Sequence, residues 1–98
     1  MAKLYVSEYD RLGSVISGPA MIAQEPSLVE QTVTFTTTTQ SSAFNAKTRY
    51  IRVHTDSICS ISIGANPTAT TSTKRMAADA TEYFAVGGGQ KIAAVTNT

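Results

Sequence analysis

This chain is short of the groups that staple, charge or anchor a protein. It has one cysteine, Cys59, which excludes an internal disulfide and leaves the fold to packing alone. One histidine and one cysteine do not complete a tetrahedral metal site, and no clustered carboxylates replace them. Charged residues make up 15% of the sequence, against roughly a quarter in an ordinary soluble domain. Low charge with abundant Ser and Thr suits a surface that meets other protein. The net charge of +1, with only Lys74 and Arg75 adjacent among the basic residues, argues against a nucleic-acid partner. No run approaches the roughly 20 apolar residues of a membrane span, so no membrane partner is expected. No long apolar stretch follows Met1, Ala2 and Lys3, so synthesis and retention in a cytoplasm are expected.

What is present is alternation. With 98 residues the natural count is one domain, able to bury about two-thirds of its unfolded surface. Residues 48–64, TRYIRVHTDSICSISIG, alternate twice. Ile51 and Val53 share one face, with Tyr50, Arg52 and His54 on the other. Cys59, Ile61 and Ile63 continue the apolar face beyond a turn at Asp56-Ser57. So short a gap predicts an antiparallel hairpin. Cys59 is expected inside, as a small buried hydrophobe.

The same period recurs. Residues 29–39, VEQTVTFTTTT, read as a strand with Val33 and Phe35 inward. Phe44 is the lone large apolar residue of the next connection and is expected to plug the core's end. Short strands follow around Met76, around Phe84 and over KIAAVT, separated by Asn66-Pro67, Asp79-Ala80 and the triple glycine 87–89. Turns every 8 to 12 residues or so predict an all-β fold, a small antiparallel β-sandwich or barrel of jelly-roll type.

The first 26 residues resist this reading. Leu4, Tyr5 and Val6 open an apolar run, and residues 7–12 fit a helical turn or a strand equally well. Gly18-Pro19 and Glu25-Pro26 then punctuate the chain. Residues 1–26 are therefore expected to form an extended N-terminal arm, and residues 27–98 the β-sandwich domain. The arm lies across either its own core or a neighbour. Its apolar residues Leu4, Tyr5, Ile16, Met21 and Ile22 are candidate contact residues. Tyr50, Arg52 and His54 join them, because Tyr and Arg dominate contact hot spots.

No reaction centre is apparent. His54, Asp56 and Ser57 can be assembled as a triad on paper, but a strand sets His54 and Asp56 side by side on an exposed face, where a base lacks shelter. Cys59 points inward, away from His54. The triple glycine lacks the Lys-Ser/Thr of a phosphate loop, and Pro67 disqualifies Asn66-Pro67-Thr68 as a glycosylation acceptor. No enzymatic activity and no cofactor are expected.

The runs TRYIRVHTDSICSISIG, NPTAT, RMAADATEYFAV and GGGQKIAAV, with EPSLVEQTVTF and SAFNAKT upstream, resemble small virion structural proteins of tailed bacteriophages. The resemblance covers most of residues 25–95 and is weaker over the first 20. It implies a capsid decoration, or cement, protein on the outer surface of the phage head. Its implied partner is the major capsid protein, with symmetric dimers or trimers at lattice axes, and it would be made in the bacterial host cytoplasm. A head–tail connector or tail component shares this composition. A carbohydrate-binding module using Tyr50, Arg52 and Tyr83 is the reading from a different class.

Overall fold

A computed structural model describes the backbone of residues 2–15 and 18–98 and the side chains of residues 2–13 and 22–98. Its described residues form ten strands: β1 (Ala2–Tyr9), β2 (Leu12–Val15), β3 (Gly18–Ala23), β4 (Val29–Phe35), β5 (Thr39–Gln40), β6 (Tyr50–Thr55), β7 (Cys59–Gly64), β8 (Lys74–Met76), β9 (Thr81–Ala85) and β10 (Lys91–Thr96). Two four-stranded sheets have the orders β4-β1-β6-β9 and β5-β10-β7-β8, and β2-β3 is a separate hairpin. Every pairing is antiparallel. The fold is the expected sandwich; the sheets stay open at their edges, so the barrel alternative falls.

The core lies between the two sheets. The first sheet contributes Leu4, Val6, Val33, Phe35, Ile51 and Val53, and the second Cys59, Ile61, Met76, Ile92 and Ala94. Each set follows the alternation of its strand, because successive side chains of a strand point to opposite faces. Phe44 is buried in this cluster, as expected of a plug.

Strand connectivity places the chain close to a jelly roll. With the β2-β3 hairpin set aside, the eight sheet strands run 2-1-4-7 in one sheet and 3-8-5-6 in the other. Moving the first strand to the C-terminal end converts these into 1-8-3-6 and 2-7-4-5, the interleaved order of a jelly roll. The geometry permits the permutation. Ala2 pairs with Phe35, and the Thr96 amide donates to the neighbouring Thr36 carbonyl, so both ends of the sandwich strands meet one corner.

Three expectations need correction. The first is the arm. Residues 2–9 are not an arm but an inner strand of the first sheet, paired on both sides by β4 and β6. Lys3, Tyr5 and Ser7 obscure the pattern by alternating with Leu4, Val6 and an inward, buried Glu8. Beyond Tyr9 the chain makes a long connection between the adjacent strands β1 and β4, and this connection carries the β2-β3 hairpin.

The second is the hairpin expected over residues 48–64. β6 and β7 belong to different sheets. The chain arches over the end of the core, so Ile51 and Val53 face Cys59 and Ile61 across the interior. Thr55 builds the arch: its hydroxyl donates to the Ser57 carbonyl at 2.6 Å and accepts the Ser57 amide at 3.2 Å. Alternation alone does not distinguish an arch from a hairpin, because both bury the same residues.

The third is the single strand over residues 29–39. It breaks after Phe35, and Thr39–Gln40 crosses to the second sheet as β5.

Candidate functional site

The two sheets differ in what covers their outer faces. Over the second sheet, residues 65–73 fold back as a lid. Gln40 Nε2 donates to Asn66 Oδ1 and to the Pro67 carbonyl, both at 2.8 Å. Asn97 Nδ2 donates to Ser60 Oγ at 2.8 Å and to the Thr71 carbonyl at 3.3 Å. Ser60 and Ala93, which alternate with the core residues of β7 and β10, are consequently buried on that outer side.

Among the described residues no such lid crosses the centre of the first sheet. Its register aligns the outward side chains in rows: Thr32, Tyr5, His54 and Thr81; then Glu30, Ser7, Arg52 and Tyr83; then Tyr9, Tyr50 and Ala85. All four tyrosines of the chain, its only histidine and Arg52 therefore share one face. Tyr5 is 41% exposed and Tyr83 58% exposed. The Tyr5 and His54 rings lie 6.3 Å apart, and His54 Nδ1 is 2.8 Å from Thr81 Oγ1.

The hairpin closes one end of this face. Tyr9 and Tyr50 stack at 5.3 Å beneath its base. The Tyr50 hydroxyl donates to the Arg11 carbonyl at 2.7 Å, and the Tyr9 hydroxyl to Glu25 at 2.8 Å. Burial and the neighbouring Glu25 push the Tyr9 phenol up to about 12, because a phenolate there would be desolvated and set beside a carboxylate. Burial also raises the Tyr50 phenol. Between hairpin and sheet runs an open groove of about 390 Å³ lined by Leu12, Ile22, Ala23, Tyr50 and Tyr83. Leu12 and Ile22 are 40% and 67% exposed. These are apolar side chains presented to solvent beside aromatic rings, the chemistry of a contact surface.

The expected contact residues divide accordingly. Tyr5, Tyr50, Arg52 and His54 lie together on the outer face, and Ile22 on the hairpin beside the groove. Leu4 does not join them: it is fully buried in the domain's own core, since the strand period turns it away from Tyr5. Ile16 and the side chain of Met21 lie outside the described residues. Leu12 and Tyr83 complete the surface, and Tyr9 supports its end from beneath the hairpin. The signal for Tyr9 is its odd-numbered parity with Tyr5, visible once residues 2–9 are read as a strand.

The paper triad does not assemble. His54 takes Thr81 as its partner. Asp56 Oδ1 accepts the Lys3 amide at 2.8 Å and the Ser57 hydroxyl at 3.1 Å, which holds its carboxyl below the usual range. Cys59 is buried, its thiol pushed up by burial and bonded to Thr55 Oγ1 at 3.6 Å. Among the described residues no group of three His, Cys, Asp or Glu side chains is placed to hold a metal ion.

Glu8 is the polar residue that sequence reasoning missed. It is fully buried at the end of β1. Oε1 accepts the Asn45 amide and the Thr48 hydroxyl, both at 2.8 Å, and Oε2 accepts Gln31 Nε2 at 3.0 Å. It clamps the connection after β5 onto the first sheet.

No protein-family model, curated protein or solved structure matches this chain.

Proposed function

We propose that this protein acts by contact, as a capsid decoration protein that binds the outside of a phage head and stabilises the major capsid lattice. The observation that carries the contact reading is the asymmetry of the sandwich. One outer face is lidded by residues 65–73, and the other presents the exposed Tyr5 and Tyr83 beside the half-buried Arg52 and His54. Aromatic rings and Arg gather at energetically dominant contacts because they bury large, rigid surface while keeping a polar handle. The resemblance of residues 25–95 to virion structural proteins supplies the choice of partner. A decoration protein gains from repetition, since many modest contacts on one lattice sum to strong attachment.

Quantitative mass spectrometry of purified particles tests the role. The reading predicts copies comparable in number to the major capsid protein. A ring-sized handful per particle would overturn it in favour of a connector or tail component, and absence from particles would overturn both. A carbohydrate-binding reading draws on Tyr83, exposed beside Arg52 in the same row. Glycan-array binding that is lost in Tyr50→Ala and Tyr83→Ala would favour it.

A further inference from the structure

The sandwich has four sheet edges, and two are too short to template another strand. β5 is two residues long, and β8 is three residues carrying Lys74 and Arg75. Short, cationic edges resist pairing with another chain. On β4, Gln31 reaches across to the connection after β5: its Nε2 donates to the Ser42 carbonyl at 3.3 Å, and its Oε1 accepts the Ser42 amide at 3.1 Å. The fourth edge is β9, TEYFA, with neither proline nor lysine.

The ladder shows which groups that edge offers. The Thr55 amide donates to Ala80 at 3.1 Å, and the Val86 amide donates to Arg49 at 2.9 Å. Hydrogen-bonded pairs alternate along an antiparallel ladder, so Glu82 and Phe84 turn their backbone groups toward β6. Thr81, Tyr83 and Ala85 turn theirs outward. Among the described residues no side chain bonds to the backbone of these three.

We infer that β9 is a self-association edge, which takes β9 of a second copy antiparallel across a two-fold axis at Tyr83. In that register Thr81 pairs with the partner's Ala85 and Tyr83 with the partner's Tyr83. The same surface then serves both copies, as a closed two-fold requires, and the two first sheets join into one continuous sheet.

The charges agree with this register. Glu82 of one copy falls opposite the partner's Phe84. Within the chain the Lys74 ammonium lies 5.5 Å from the Phe84 ring centre. Directly opposed side chains of a pair stand about 5 Å apart. Each Glu82 therefore meets the partner's Lys74, twice by symmetry. This gives the expected homo-oligomer a surface along the border of the aromatic face, with Tyr83 common to both, and it does not depend on the virion role.

Sedimentation velocity over a concentration series tests it on the isolated protein. Wild type is expected to dimerise. Ala85→Pro removes an outward donor that the in-chain ladder does not use, and is expected to weaken the dimer about tenfold or more, since the two-fold doubles each lost bond. Glu82→Lys is expected to weaken it too, and the double exchange Glu82→Lys with Lys74→Glu to restore it. If Ala85→Pro misfolds by circular dichroism, the charge exchange decides. A monomer at every concentration overturns the inference. So does a dimer indifferent to the β9 variants but lost in Tyr5→Ala, which would place association on the aromatic face.

Discussion

Several residues do more for this fold than their types announce. Glu8 is a buried carboxylate held by three hydrogen bonds from Asn45, Thr48 and Gln31. Replacing it with alanine leaves those donors unmet in the interior, at a cost of about 2–4 kcal/mol. Urea unfolding of Glu8→Ala checks this, with a lowered midpoint and an unchanged slope expected. Within the triple glycine the three positions differ. Gly89 has φ of 84°, the left-handed region. A Cβ on Gly88 would collide with the backbone of Ala46, while one on Gly87 would make only ordinary contact with Gln90 at 3.6 Å. Gly88→Ala should therefore lower the melting temperature clearly, and Gly87→Ala should leave it close to wild type. Tyr9 sets an alkaline limit. Its phenol titrates near 10 in the unfolded chain and at about 12 when folded. The folded state thus holds its proton when the unfolded state has lost it. This contribution is fully present below pH 10 and is lost as pH rises through about 12. Stability measured across that window should fall in wild type and fall less steeply in Tyr9→Phe.

At the scale of elements, alternation made most strands readable in advance. Lys91–Thr96, the strand around Met76 and the inward faces of β4, β6 and β7 follow from the period of two alone. Sheet membership did not follow. The arch between β6 and β7 depends on Thr55 and Ser57 closing a tight corner, and the burial pattern of a hairpin is identical. β1 was illegible because Glu8 reads as surface. Only the fold brings Asn45 and Thr48, some 40 residues away, to satisfy it. The candidate surface was half visible. Tyr50, Arg52 and His54 share one strand's parity, whereas Tyr5, Tyr9 and Tyr83 join them only through pairing of β1 and β9 with β6. The arch predicts that Cys59, buried at its far side, resists thiol reagents in the folded protein. Labelling should proceed only at the rate of unfolding, and rapid labelling of native protein would contradict this placement.

The whole molecule is a jelly-roll-like sandwich whose first strand does the work of a last one. Ala2 and Thr96 both reach the corner at Phe35 and Thr36. A permuted chain that starts near residue 25 and joins residue 98 to residue 2 by a short Gly/Ser linker should fold to the same circular dichroism spectrum. Failure to fold would show that continuity through the β2-β3 hairpin is required. The same architecture explains why one outer face is available. The β7–β8 connection spends its length covering the second sheet, and no equivalent segment among the described residues crosses the centre of the first. On the proposed function, this open face, carrying Tyr5, Arg52, His54 and Tyr83, is where the protein meets the capsid lattice. Co-sedimentation with phage heads stripped of the protein tests it most directly, comparing wild type with the folded variant Tyr5→Ala/Arg52→Ala and with Thr70→Ala on the lidded side. The account predicts that the face variant loses attachment while Thr70→Ala binds as wild type. Full attachment of the face variant would contradict it.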